Sequence, residues 1–212
     1  MKHQTHFKGW FIIIIIGFWL LPIFISEESA KTRVLEEIGK VQSQFGEVAS
    51  NHVVEGANST FDFMVVRTGL LEWAMRGEVS REAQTQTERV MGRVVSTGTS
   101  FTNRYVRGAI ANVYGLFFRL QMLLVWMPLM IPFLIAIVID GYVARKMKMS
   151  SFGYFSPAAF QLANHTLIFM IMLPAAYLVL PFVMSPMWVP FLAIAAGFAM
   201  RLAIKHAQRM IG

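Results

Sequence analysis

The residues able to do chemistry are few and unevenly placed. The chain has 12 carboxylates, five histidines and no cysteine. The lack of cysteine excludes a disulfide framework, a Cys-ligated zinc site, an iron–sulfur centre and a thiol nucleophile. Eleven of the 12 carboxylates fall between Glu27 and Arg119, scattered at surface-like positions. His52 has no second His or Cys at ligand spacing, so it reads as an ordinary satisfied histidine rather than a metal ligand. No G-x-x-x-x-G-K-[ST], H-E-x-x-H, G-x-S-x-G or G-x-G-x-x-G occurs, so the motifs for phosphate-loop, zinc-peptidase, serine-hydrolase and dinucleotide chemistry are missing. The expectation is a non-enzyme with no catalytic residue, no cofactor and no metal.

Three sets of residues remain. Asp140-Gly141, followed by Arg145, Lys146 and Lys148, is either a carboxylate pairing locally with its basic neighbours or a contact for a partner. Asn164 and His165 stand inside a long uncharged run, where such groups usually hydrogen-bond to a neighbouring helix. A proton relay would need a second titratable group, which only Asp140 could supply. Ala195, Ala199 and Ala203, with Ala193 and Gly197, make a small-residue face of the kind that lets helices approach closely, within or between chains. The fifteen methionines suit packing better than a copper path.

The elements that must position these residues are set by uncharged runs. The composition is 56% hydrophobic and only 15% charged, too apolar for a soluble domain, which typically has about 25% charge. There are 18 uncharged residues between Lys8 and Glu27, 20 between Arg119 and Asp140, and 52 between Lys148 and Arg201. About 20 apolar residues cross a bilayer as a helix, so the third run holds two crossings, divided near Ser185-Pro186 because proline supplies no N–H. This predicts an all-α integral membrane protein with four transmembrane helices and a helical periplasmic domain between helices one and two. The segments are 1–26 (N-terminus and first crossing), 27–119 (periplasmic), 120–139 (second crossing), 140–160 (cytoplasmic loop), 161–184 and 187–204 (third and fourth crossings) and 205–212 (tail). A cleaved signal peptide is disfavoured at residues 1–26, because no small-x-small site follows the apolar core. Trp10, Tyr142 and Trp188 fall at predicted membrane boundaries.

Charge sets the orientation. Eight bases and one acid lie outside residues 27–119, and 11 acids with 11 bases lie inside them, so the whole net charge of +7 is on one side. That is the positive-inside pattern and puts both termini in the cytoplasm. Spread over three short segments, these bases make no nucleic-acid face, and no direct nucleic-acid binding is expected.

Within 27–119, Val34, Ile38, Val41, Phe45, Val48 and His52 recur at helical spacing, with Glu36 and Lys40 at i,i+4. No proline occurs between Ile23 and Arg119, so the first crossing is expected to run into this helix unbroken. Phe63, Val66, Leu70 and Trp73/Ala74 give a second stripe ended by Gly77, and Val79, Ala83, Val90, Met91 and Val94 a weaker third. Gly98 is expected to separate these from a helix that starts at Phe101 and merges with the second crossing. The stripes suit a bundle burying its own apolar face; a docking face for a partner or a second copy is the alternative. Asn58-Ser59-Thr60 matches a glycosylation acceptor by chance.

Specific words carry a family resemblance. Val66-Arg67-Thr68-Gly69-Leu70-Leu71-Glu72-Trp73, with Arg67, Thr68, Gly69 and Trp73 as its core, resembles the V-R-T-G-L-x-x-W run of inner-membrane proteins from integrating conjugative elements and conjugative plasmids. The run from Arg119 to Asp140-Gly141, then Arg145-Lys146 and Phe152-Gly153, resembles that family's second segment and its D-G-x-x-x-R exit. Leu180-Pro181-Phe182, Pro186 and the Ala-rich segment ending at Met200-Arg201 are similar to its closing hairpin. Where the family often has a second basic residue and paired His, this chain has Asn164-His165. The resemblance implies a component of a conjugative type IV secretion system. It also implies the TraJ-type role of membrane partner to the type IV coupling protein, a hexameric DNA-pumping ATPase. The expected partners are therefore the bilayer, that ATPase, other conjugation machinery and a further copy of the chain. Rival expectations are a membrane sensor with a periplasmic ligand-binding domain, opposed by a cytoplasmic loop too short for an output domain, and a small transporter or channel subunit, opposed by carboxylate-free crossings.

Overall fold

The computed structural model describes residues 2–76, 93–150 and 157–207. Gly77, the third stripe from Val79 to Met91, and Phe152-Gly153 lie outside them. The described residues form helices α1 (Lys2–Phe24), α2 (Glu27–Phe61), α3 (Leu70–Met75), α4 (Arg93–Ser150), α5 (Pro157–Val179) and α6 (Trp188–His206), with a π-helical turn at Asp62–Val66 and no strand. Three helical stretches are long and apolar enough to cross a membrane: Ser100–Ser150, Phe160–Val179 and Trp188–His206. The number is four if Lys8–Phe24 and Glu27–Val66, bent by 114°, count as one broken span.

Four expected boundaries move. The first crossing does not run into α2: Ser26 caps a new helix, accepting a hydrogen bond from Ser29 N at 3.2 Å, and Glu27 and Glu28 occupy its first turn. A serine cap with acids behind it satisfies the free N–H groups and starts a helix without any proline. Gly98 separates nothing, because α4 is helical from Arg93 through it to Ser150. The same helix continues through the stretch expected to be loop from residue 140; its Ala, Arg, Lys and Met are good helix formers whether or not lipid surrounds them. Finally, α5 stops at Val179, and a non-helical turn containing Pro181 and Pro186 leads to α6.

The contacts divide the chain into two compact units. One comprises Ile15–Gln121 and Leu178–Pro186. In it, α2 is two arms rather than one rod. Gly46 has φ 84° and ψ 172°, a region open essentially only to glycine. The first arm runs alongside α4 in the same direction, with Arg33 at Asn112 and Glu37 at Arg119. The second arm runs back, with Gly56 at Gln121 and Asn58 at Tyr114. The stripe expected through His52 is therefore broken: Val34 and Val41 are buried, Val48 is 86% exposed, and the second arm buries Ser50, Val53 and Ala57 instead. Phe118, Val41, Val53 and Pro186 are the largest fully buried side chains among the described residues. Lys40, expected to pair with Glu36, donates to Val183 O at 3.4 Å.

The other unit comprises Met1–Ile14, Met122–Tyr177 and Met187–Gly212. Here α6 runs parallel to the second half of α4. A Cβ on Gly197 would stand 2.4 Å from Ile137 Cδ1, and one on Gly141 3.2 Å from Ile204 Cβ. The two glycines thus let the helices approach more closely than side chains would permit. Pro128 and Pro132 lie within α4 and Pro174 within α5, as membrane helices tolerate. Leu129, Ile139, Leu162, Phe191 and Phe198 point outward, the arrangement that hydrocarbon surroundings favour.

Candidate functional site

Two clusters gather the polar side chains. The first is the shared end of α4 and α6. Asp140 pairs with Arg201 of α6, not with its sequence neighbours Arg145 and Lys146, because five and six residues on these fall on other faces of the helix while α6 brings Arg201 alongside. Both partners are about half exposed. Gly141, buried next to Asp140, is where the α6 backbone at Arg201 comes closest, its added Cβ lying 3.4 Å from Arg201 O. Further along, Lys148 Nζ lies 3.4 Å from His206 Nδ1, and the Lys146 ammonium stands 5.3 Å from the centre of the Tyr142 ring, a cation–π contact. Arg145 Nε is buried without a hydrogen-bond partner. This end thus presents Arg145, Lys146, Lys148, Arg201 and Lys205 against the single acid Asp140.

Of the expected small-residue face, only Gly197 is seen to pack on α4. Gly197, Ala199 and Ala203 are buried, and Ala195 is half-buried; Gly197 meets Phe133 and Ile137 of α4. On α5, Asn164 is half-buried and His165 is exposed.

The second cluster was not visible in the sequence. Glu37, grouped with surface carboxylates, is 2% exposed, as is Arg119. Arg119 Nε donates to both Glu37 oxygens, at 3.2 and 3.0 Å, and Nη2 donates to Oε1. The remaining donors reach into the α5–α6 turn: Nη1 donates to Leu180 O at 2.6 Å and Nη2 to Phe182 O. Glu37 Oε1 in turn accepts from Met184 N at 3.1 Å. Proline at 181 and 186 keeps this turn out of helix, so its carbonyls have no helical donor, and one guanidinium supplies them. Beside it, Arg33 Nη2 donates to Asn112 Oδ1 at 2.8 Å, while Arg33 Nη1 and Asn112 Nδ2 are buried without partners. Arg119 repels the Arg33 charge and Glu37 attracts it. The only sequence signals were that Arg33 and Glu37 stand one turn apart and that Arg119 is the last charge before an apolar run.

The words behind the family resemblance form a bend. Arg67 Nε donates to Asp62 Oδ2 at 2.7 Å, Thr68 Oγ1 donates to Met64 O at 2.9 Å, and Gly69 has φ 75° as the residue that starts α3. Trp73 is 70% exposed. The second expected stripe is therefore not buried: Phe63, Val66 and Leu70 also point outward, because the π turn and the left-handed glycine interrupt the helical period. Among the described residues no three His, Asp or Glu side chains converge as a metal site would need.

These features define a class: an all-helical chain with three, or up to four, bilayer-length apolar helices, a basic helix end and a buried ion pair clamping a proline turn. The chain belongs to the DtrJ-like family, whose model, described as IncC plasmid conjugative DNA transfer protein DtrJ-like, matches residues 21–208. Comparison with curated proteins and with solved structures finds no match. Membership agrees with the resemblance to proteins of conjugative plasmids at the level of conjugative DNA transfer.

Proposed function

We propose that this protein is a non-enzymatic inner-membrane component of a conjugative type IV secretion system that docks or supports the coupling ATPase during DNA transfer. The observation that carries this reading is the family match across nearly the whole chain. The geometry favours one end of the helices for that contact. The shared end of α4 and α6 concentrates five bases around one acid, and the positive-inside rule assigns such an end to the cytoplasm, where an ATPase of the coupling type works. Lys146 is exposed there, and Arg145 and Lys148 are half-buried, so the surface suits an acidic patch on a partner. Two further features support crossings by α4, α5 and α6. Arg119 and the α5–α6 turn meet in one cluster, and Asp140 meets Arg201 in another, as they would if each pair shared one side of the bilayer.

Deleting the gene should abolish or sharply reduce transfer frequency, with rescue by the wild-type chain. The coupling ATPase should co-purify with the protein in detergent, and less of it after the double charge reversal Lys146→Glu/Lys148→Glu. Normal transfer without the gene, or association no greater than with a control membrane protein, would remove the proposal.

A further inference from the structure

Residues 62–76 carry one of the family-like words and take part in neither cluster. Their surface is unusual for a segment expected in water. Phe63 is 65% exposed and Trp73 70%, and Met64, Val66, Leu70 and Met75 are all more than 40% exposed. Every charge among them is paired inside the segment, Arg67 with Asp62 at 2.7 Å and Arg76 with Glu72 at 3.3 Å. The surface thus combines a cluster of large apolar side chains with exposed charges that cancel in pairs, while a buried Val65 anchors it from beneath.

Its neighbour decides what covers it. Leu70, Leu71 and Trp73 share an apolar groove of about 580 Å³ with Trp19 and Tyr105, and the Tyr105 hydroxyl donates to Trp19 O at 2.8 Å. Trp19 belongs to the uncharged run of α1, and around it Ile16, Leu20, Ile23 and Phe24 are likewise exposed. The outward face of 62–76 is therefore continuous with the outward face of a helix apolar enough for lipid. A short apolar element beside such a helix, with neutralised charges and indole and phenol rings at its margin, has the character of an interfacial segment. We infer that residues 62–76 lie in the headgroup layer of the bilayer, with Phe63, Leu70 and Trp73 among the acyl chains. The π turn and Gly69 are what turn those side chains outward together. The occupant of this face is lipid.

The absence of cysteine makes the test direct. Single variants Phe63→Cys, Leu70→Cys and Trp73→Cys, with Glu28→Cys on an exposed polar face as the aqueous reference, are made in the full chain. Each is spin-labelled, and the protein is reconstituted in phosphatidylcholine–phosphatidylglycerol nanodiscs. Power saturation then compares collisions with oxygen, which partitions into lipid, and with a nickel chelate, which stays in water. The expected result is an accessibility ratio shifted toward oxygen at 63, 70 and 73 and toward nickel at 28. Nickel-dominated values at the three sites would place the face in water, and low values for both reagents would place it against protein; either overturns the inference. The measurement uses the isolated chain in lipid, so its outcome is independent of whether the coupling ATPase docks.

Discussion

All three guanidinium nitrogens of Arg119 donate: Nε and Nη2 hold Glu37, and Nη1 and Nη2 hold the carbonyls of Leu180 and Phe182. At 2% and 3% side-chain exposure, the pair is worth little against well-packed apolar replacements, yet breaking one side of it is costly because the other charge stays buried. Glu37→Ala should therefore lower stability by about 3–5 kcal/mol, read as a fall in Tm in detergent. The double variant Glu37→Leu/Arg119→Met should recover part of that loss. Recovery stays incomplete, since Leu180 and Phe182 lose their donor and an unsatisfied buried acceptor costs about 1–3 kcal/mol. A double variant no more stable than Glu37→Ala would show that the ion pair itself, rather than an orphaned charge, dominates. Sequence reasoning saw Arg119 only as the edge of an apolar run. Its partner lies 82 residues earlier, and no local period or spacing connects two residues that meet only through tertiary packing.

At the level of elements, two of the three glycines of α2 test the hairpin. Gly46 holds φ 84° and ψ 172°, whereas Gly39 sits in plain helix with nothing within 4 Å of an added Cβ. Gly39→Ala should raise stability by about 0.5–1 kcal/mol through helix propensity. Gly46→Ala should lower it by about 1–3 kcal/mol, because only glycine occupies that backbone region without strain. Thermal melts of the two variants should move in opposite directions; two gains would mean that α2 runs straight through residue 46. The apolar helices were legible, since an uncharged run of bilayer length has few alternatives. The arms of α2 were not. Val34, Ile38, Val41 and Phe45 keep a helical period up to the break, and a glycine inside such a period looks the same whether it is helical or reverses the chain. The shared end of α4 and α6 was half legible. Its bases are plain in the sequence, but the partner of Asp140 is Arg201 on α6 rather than a sequence neighbour.

For the whole molecule, the orientation proposed from charge gives the clearest expectation. Alkaline phosphatase fused after Arg76 should be active and a fluorescent reporter fused after Ser150 should fold in the cytoplasm, with the converse fusions silent. Reversed signals would put the basic end of α4 and α6 on the wrong face for an ATPase. The clamp on the proline turn has a further meaning for how such a chain is made. Synthesis proceeds from the N-terminus, and the Leu180 carbonyl follows Arg119 by 61 residues and the Met184 amide follows Glu37 by 147. For that interval a nascent chain carries a carboxylate and a guanidinium already in place but lacks the backbone that encloses them. The later-made α5–α6 turn is therefore the keystone that encloses an ion pair laid down well before it.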